Sequence, residues 1–124
     1  MLKIQAKKLG TVAVLCLQGQ IVTGETEILR DAVHSQSQVS AVILDLTWVT
    51  TVDAGGLGVM LALREQLESK GIRFELTNVN SLVSKLLELT RLDSVFQITS
   101  AVRFFPAAVS TGRRASVGPF ASCA

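Results

Sequence analysis

Residues 39–46 read Val-Ser-Ala-Val-Ile-Leu-Asp-Leu, apolar except at Ser40 and Asp45. A strand that is apolar on both faces is covered on both faces, and such strands belong to parallel sheets whose crossovers are helices. This run therefore points to an α/β domain and requires helices and further strands on either side of it in sequence.

Those elements are legible. Leu2, Ile4 and Ala6 alternate with Lys3, Gln5 and Lys7, the period of two of an edge strand with one wet face. Gly10 punctuates, and residues 12–17 form a second strand apolar on both faces, with Cys16 a small buried thiol inside it. Thr23 or Gly24 caps a helix that carries Glu25 and Glu27 in its first turn and runs to His34, a solvated helix end rather than a ligand position. Residues 47–53 carry the chain from the buried strand to a second helix over 54–70. There Met60, Leu63 and Leu67 make one stripe with Leu57 and Leu61 beside it, Arg64, Glu65 and Glu68 face out, and Lys70-Gly71 ends the helix. Ile72, Phe74 and Leu76 alternate with Arg73, Glu75 and Thr77 in a half-exposed strand. Asn80 or Ser81 caps a third helix with Leu82, Val83, Leu86 and Leu87 on its apolar face, and Leu92, Val95, Phe96 and Ile98 form a last packed turn and short strand. The predicted architecture is an α/β fold with a mixed sheet of four to five strands and interspersed helices, mixed because the first two strands form a hairpin.

At 124 residues, 48% hydrophobic and 18% charged, the chain is one domain and too apolar for a disordered one. The domain is expected over 1–103, with a loose tail over 104–124, where Phe104-Phe105-Pro106 and an aperiodic run of small residues replace the pattern. Arg113 and Arg114 in that tail account for the whole net charge of +2. A body with no net charge lacks the clustered Lys and Arg that nucleic acid requires, so no nucleic-acid partner is expected. The mean hydropathy of +0.44 raises the question of a membrane, but residues 9–24, the longest uncharged stretch, are interrupted by Gly10, Gln18, Gly19 and Gln20 and fall short of a spanning helix. Lys3, Lys7 and Lys8 ahead of an apolar run imitate a secretory signal, yet Gln18-Gly19-Gln20 stands where small cleavage-site residues belong. The expectation is a cytoplasmic protein with both cysteines reduced.

Three glycines at the strand-to-helix junction of residues 45–58 invite a nucleotide reading. Neither the Gly-x-Gly-x-x-Gly fingerprint nor a P-loop ending is present, and Asp53 would repel an incoming phosphate. With one His at a helix end, one buried and one terminal Cys, no Tyr, and Asp45 and Asp53 flanking a loop without an evident pocket, no catalytic residues, cofactor or metal are expected. Asp53 caps the second helix.

Asp45-Leu46-Thr47 followed by Val52-Asp53-Ala54-Gly55-Gly56-Leu57-Gly58 resembles the signature loop of the STAS domains, the group containing bacterial anti-sigma factor antagonists. The usual form is Asp-Leu-Ser, then an apolar residue and Asp-Ser-Ser-Gly-Leu-Gly. Gly19-x-Ile21 leading into the helix with Thr26, and Leu89-x-x-Leu92 with Phe96-x-Ile98, extend the resemblance over about residues 1–100. It implies a STAS-like fold and a binding switch, in which the antagonist docks on an anti-sigma factor that is also a protein kinase. The kinase phosphorylates a loop serine, and the added charge of about −1.5 to −2 breaks the interface. The position matching that serine is Gly55, and the serine before it is Ala54, so phosphorylation there is chemically impossible. Thr50 and Thr51 keep hydroxyls nearby as alternative acceptors.

Parallel strands at 12–17 and 41–46 would bring Gln20 to Glu25 beside Trp48 to Gly56 on one rim. The partner-binding residues expected there are Thr23, Gly24, Glu25, Trp48, Thr51, Asp53, Ala54, Gly55, Gly56 and Leu57. Trp48 reads either as a partner anchor or as a partly buried packing residue. The expected partner is an anti-sigma factor kinase or another cytoplasmic regulatory protein. Alternatives are a STAS subunit of a membrane transporter or of a signalling scaffold, and, in a different class, a small ligand sensor or enzyme. Half-wet edge strands make a homodimer plausible, and Arg113-Arg114-Ala115-Ser116 fits a basophilic kinase pattern.

Overall fold

A computed structural model of the chain describes residues 1–99. The readings of the tail at 104–124, of Cys123 and of Arg113 to Ser116 lie outside the described residues. The elements are β1 (Leu2–Leu9), β2 (Val12–Ile21), α1 (Thr26–His34), β3 (Ala41–Val52), α2 (Ala54–Glu68), β4 (Arg73–Thr77), α3 (Ser81–Leu89) and β5 (Gln97–Thr99). The sheet has five strands in the order β1-β2-β3-β4-β5. β1 lies antiparallel to β2 as the edge hairpin, and β2, β3, β4 and β5 run parallel. This is the expected mixed α/β sheet.

All three helices pack on one face. Leu29 and Val33 of α1, Leu57, Met60, Leu63 and Leu67 of α2, and Val83 and Leu87 of α3 join one core with Leu15, Leu17, Val42, Leu44, Phe74 and Leu76 of the sheet. Phe74 and Phe96 meet there with ring centroids 6.3 Å apart. Val14, Cys16 and Ile43, with Val12 against them, form a second buried cluster. Successive strand side chains point to opposite faces, so this cluster belongs to the other side of the sheet.

Several expectations are corrected. The third strand does not stop at Leu46: it continues to Val52, because the pairing of β2 with β3 resumes past a bulge, Gln18 opposite Trp48 and Ile21 opposite Val52. Val49, Thr50, Thr51 and Val52 suit that extension, since β-branched residues favour a pleated surface. Neither Thr23 nor Gly24 caps α1; Glu25 stands at the N-cap without a side-chain bond to the helix. β4 is not half exposed. It lies between β3 and β5, with Glu75 opposite Ile43 and Thr77 opposite Asp45, and both Glu75 and Thr77 are buried. Glu75 keeps an ion pair with Arg73, while Glu75 Oε1 and Thr77 Oγ1 have no hydrogen-bond partner among the described residues. Leu82 and Ile98 are exposed rather than packed. Cys16 is buried as expected but is not a free, reduced thiol. His34 is exposed at the end of α1 and meets Gln66 Oε1 at 3.0 Å. Among the described residues no helix is long and apolar enough to cross a membrane.

Candidate functional site

Because β2, β3 and β4 are parallel, their carboxyl ends lie on one rim of the sheet, where the chain turns into the first turns of α1, α2 and α3. The centre of this rim is Asp53. It is the N-cap of α2, in extended backbone conformation, and its Oδ1 accepts from the Gly56 amide at 2.8 Å. Its other oxygen, Oδ2, accepts from the Thr23 amide at 3.0 Å, so one carboxylate fastens the β2–α1 turn to the start of α2. The Asp53 amide adds a bond to the Ile21 carbonyl at 3.3 Å. The Thr23 amide, followed by the Gly56 amide, holds the Asp53 carboxyl below its ordinary pKa, because both donors stabilise the charged form.

The two glycines behind Asp53 are dictated by this closeness. A Cβ on Gly56 would stand 1.9 Å from the Ile21 carbonyl oxygen and 2.8 Å from its carbon, and one on Gly55 would stand 2.1 Å from Thr23 Oγ1. The helix start therefore rests against the end of β2 with no room for a side chain at Gly56.

Of the residues expected on the rim, the structure brings Thr23, Asp53, Gly55 and Gly56 into direct contact. Gly24 and Ala54 are exposed beside them. Glu25 turns away: its Oε1 accepts from the Leu2 amide at 2.7 Å, pinning β1 to the start of α1. Leu57 is buried in the helix-side core. Thr50 donates its hydroxyl to the Gly19 carbonyl at 3.2 Å, and Thr51 is exposed and pairs with Gln20. Trp48 is 49% exposed. It sits three residues before Thr51 on β3, about 10 Å away along the strand. It follows the bulge at which Thr47 and Trp48 are exposed in succession before Val49 returns to the core.

Asn78 and the second role of Asn80 were not foreseen. Asp45 is buried and accepts from the Thr47 amide at 3.0 Å, the Thr47 hydroxyl at 2.6 Å and Asn78 Nδ2 at 3.2 Å. Asn80 caps α3 through the Val83 amide at 2.9 Å while its own amide group donates to the Val49 carbonyl at 2.8 Å. The available signal was the repeated Asn in Thr77-Asn78-Val79-Asn80 after an apolar strand, a run rich in short polar groups that bond backbone. Two further rim residues are exposed and apolar, Ile28 in the first turn of α1 (42%) and Leu82 in the first turn of α3 (57%). Among the described residues no cluster of His, Cys, Asp and Glu could hold a metal.

The family model of the STAS domain matches residues 3–105. Among solved structures, the chain is similar to an anti-sigma factor antagonist from Mycobacterium paratuberculosis, with 22% identity over 79% of this chain and 85% of that one and a TM-score of 0.71. The Bacillus cell fate determinant SpoIIAA in its phosphorylated form shows 20% identity over 90% of this chain and all of its own (100%), with a TM-score of 0.64. A sulfate transporter family protein from Wolinella succinogenes shows 17% identity over 73% and 77%, also with a TM-score of 0.64. At these identities the likeness is one of fold.

Proposed function

The chain belongs to the STAS domain family, and from that premise we propose that it is a regulatory protein–protein interaction module of the anti-sigma factor antagonist type. Its partner in this reading is a cytoplasmic anti-sigma factor of the kinase kind, bound through the rim around Asp53. The observation that carries the reading is the make-up of that rim. A single carboxylate locks the β2–α1 turn to the α2 start, and Ile28 and Leu82, in the first turns of α1 and α3, and Trp48 of β3 are exposed. Rigid loops set among exposed apolar side chains, with a large aromatic among them, suit a protein partner better than a small molecule. The charge-neutral body of residues 1–103 argues against nucleic acid.

Gly55 has no hydroxyl, so a kinase cannot switch this module at the position that the family resemblance marks. That same glycine favours a second reading, a STAS subunit of a transporter or of a signalling scaffold, which needs docking without a phosphorylation cycle at that position.

The test is affinity capture from the native cytoplasm with identification by mass spectrometry, using the wild-type chain, Asp53→Lys and Trp48→Asp. Recovery of a kinase-type anti-sigma factor by the wild type, lost in both variants, is the expected result. Recovery of a transporter or a multidomain signalling complex in its place rejects the sigma-factor reading and retains the rim.

A further inference from the structure

Val14 pairs with Ile43 and Ile43 with Glu75; Cys16 pairs with Asp45 and Asp45 with Thr77. Directly paired residues share a face of the sheet, and for these it is the face away from the helices. Val14, Cys16, Ile43, Glu75 and Thr77 are each no more than 4% exposed, although α1, α2 and α3 all pack on the opposite face. Neighbouring strands shield such side chains only laterally, so their tips require a second layer. That layer stops short of β1, since Gln5, opposite Cys16, is exposed. Thr99, the last residue of β5, pairs with Thr77 and so stands in one row with Thr77, Asp45 and Cys16. From there to Cys16 is about 14 Å across the strands, a span that about five extended residues cover. Residues 100–124 follow directly, and their chemistry suits the face. They carry Phe104, Phe105 and Phe120, three of the chain's five phenylalanines, with Arg103, Arg113 and Arg114 and no acidic residue. The face offers apolar Val14 and Ile43 beside the carboxylates of Asp45 and Glu75, and Glu75 Oε1 and Thr77 Oγ1 have no partner among the described residues. Cys16 is not a free thiol, and the one other cysteine of the chain is Cys123. A cysteine bonded to Cys16 has its Cα within about 7 Å of it, and therefore lies on this face.

We propose that residues 100–124 are the second layer over the helix-free face of the sheet, clasped there by a disulfide between Cys16 and Cys123. The proposal stands whatever partner docks on the Asp53 rim. The family match stops at residue 105, so the Cys123 end of the clasp belongs to what this chain adds. The bond forms by exchange with a low-molecular-weight disulfide. The Cys123 thiolate attacks one sulfur of that molecule and expels its first thiolate; the Cys16 thiolate then attacks the Cys123 sulfur of the mixed disulfide and expels the second. Each cysteine gives up one proton and one electron, and the small disulfide is reduced to two thiols. A dithiol reverses both steps. In a reducing compartment such a bond is transient, so the local redox poise sets whether the layer is clasped. With the bond open, only apolar contact and charge hold the segment, and Val14 and Ile43 become accessible.

The experiment incubates the full chain with oxidised glutathione, digests it without reductant and maps the peptides by mass spectrometry. One peptide pair joined through Cys16 and Cys123 is expected, in a monomer whose intact mass is lower by two hydrogens. In the nuclear Overhauser spectrum of that species, ring protons of Phe104, Phe105 or Phe120 are expected to contact the methyl groups of Val14 and Ile43. Dithiothreitol is expected to increase binding of anilinonaphthalene sulfonate, a dye that reports uncovered apolar surface, and to lower the urea midpoint. Cys123→Ser, with the amide proton spectrum of a folded chain, is expected to match the reduced wild type and to respond to neither reagent. Glutathione retained on either cysteine, a disulfide joining two copies, or a formed bond without the ring-to-methyl contacts overturns the proposal. So does a wild type whose dye binding and urea midpoint are the same before and after dithiothreitol.

Discussion

Gly56 and Gly58 stand two residues apart on α2 in opposite surroundings. A Cβ on Gly56 meets the backbone of Ile21, which cannot swing aside, whereas one on Gly58 meets nothing within 4 Å. Gly56→Ala is expected to lower unfolding stability by about 1–3 kcal/mol, the usual cost of forcing atoms into filled space. Gly58→Ala is expected to raise stability by about 0.5–1 kcal/mol, since alanine loses less backbone freedom in a helix. Urea unfolding of both variants checks the pair, and equal shifts would remove the argument that α2 is seated on β2. Asp53 gives a pH signature. Its folded-state pKa lies below the ordinary carboxylate value, so its contribution is present above the unfolded pKa and is lost as pH falls through the folded one. Wild type and Asp53→Asn are therefore expected to differ in stability at neutral pH and to converge below about pH 4. A gap that stays constant into strong acid would show that the amides do not select the charged form. At this scale the sequence was half legible. That Asp53 caps a helix follows from its place before a glycine-rich helical start, but the meeting of Thr23 with Gly55 joins residues of two different crossovers, and no local pattern reports it.

Among the elements, α3 shows how one side chain can serve two purposes. Asn80 accepts from Val83 and donates to the Val49 carbonyl, so it both starts the helix and holds that start against β3. Asn80→Ala is expected to cost about 1–2 kcal/mol, the value of a cap plus a carbonyl left with fewer partners. Asn80→Asp, which keeps the acceptor and loses the donor, should fall between that variant and the wild type in thermal unfolding. Helices were the most legible elements, because their faces carry a 3.6-residue period and α2 and α3 start on side-chain caps, whereas α1, whose N-cap Glu25 makes no side-chain bond, was legible from its face and not from its start. Strand limits were less so. Alternation in β4 marked Glu75 and Thr77 as wet, but alternation reports polarity and not neighbours, and the pairing of β4 between β3 and β5 decides burial. The length of β3 was hidden by Thr47 and Trp48, two successive exposed residues that imitate a loop and are a bulge.

On the scale of the whole molecule, the parallel arrangement gathers three helix starts on one rim, and exposed apolar residues collect there without contributing to the core. Trp48→Asp and Leu82→Asp are accordingly expected to leave unfolding stability within about 0.5 kcal/mol of the wild type while reducing partner capture. Loss of stability in step with loss of capture would return both residues to a packing role. The α/β class and the mixed sheet were legible because a run apolar on both faces admits few other solutions. The rim's apolar residues were not, since Leu82 sits on the same periodic stripe as the buried Val83 and Leu87.

Spatial order and sequence order coincide in this sheet, from β1 through β5. As the chain leaves the ribosome, each new strand finds its neighbour already in place at the growing edge, and no gap between two earlier strands has to be kept open for a later one. The hairpin of β1 and β2 closes over a short turn, and every later strand joins through a single crossover, so vectorial synthesis and final topology impose no conflicting order of assembly.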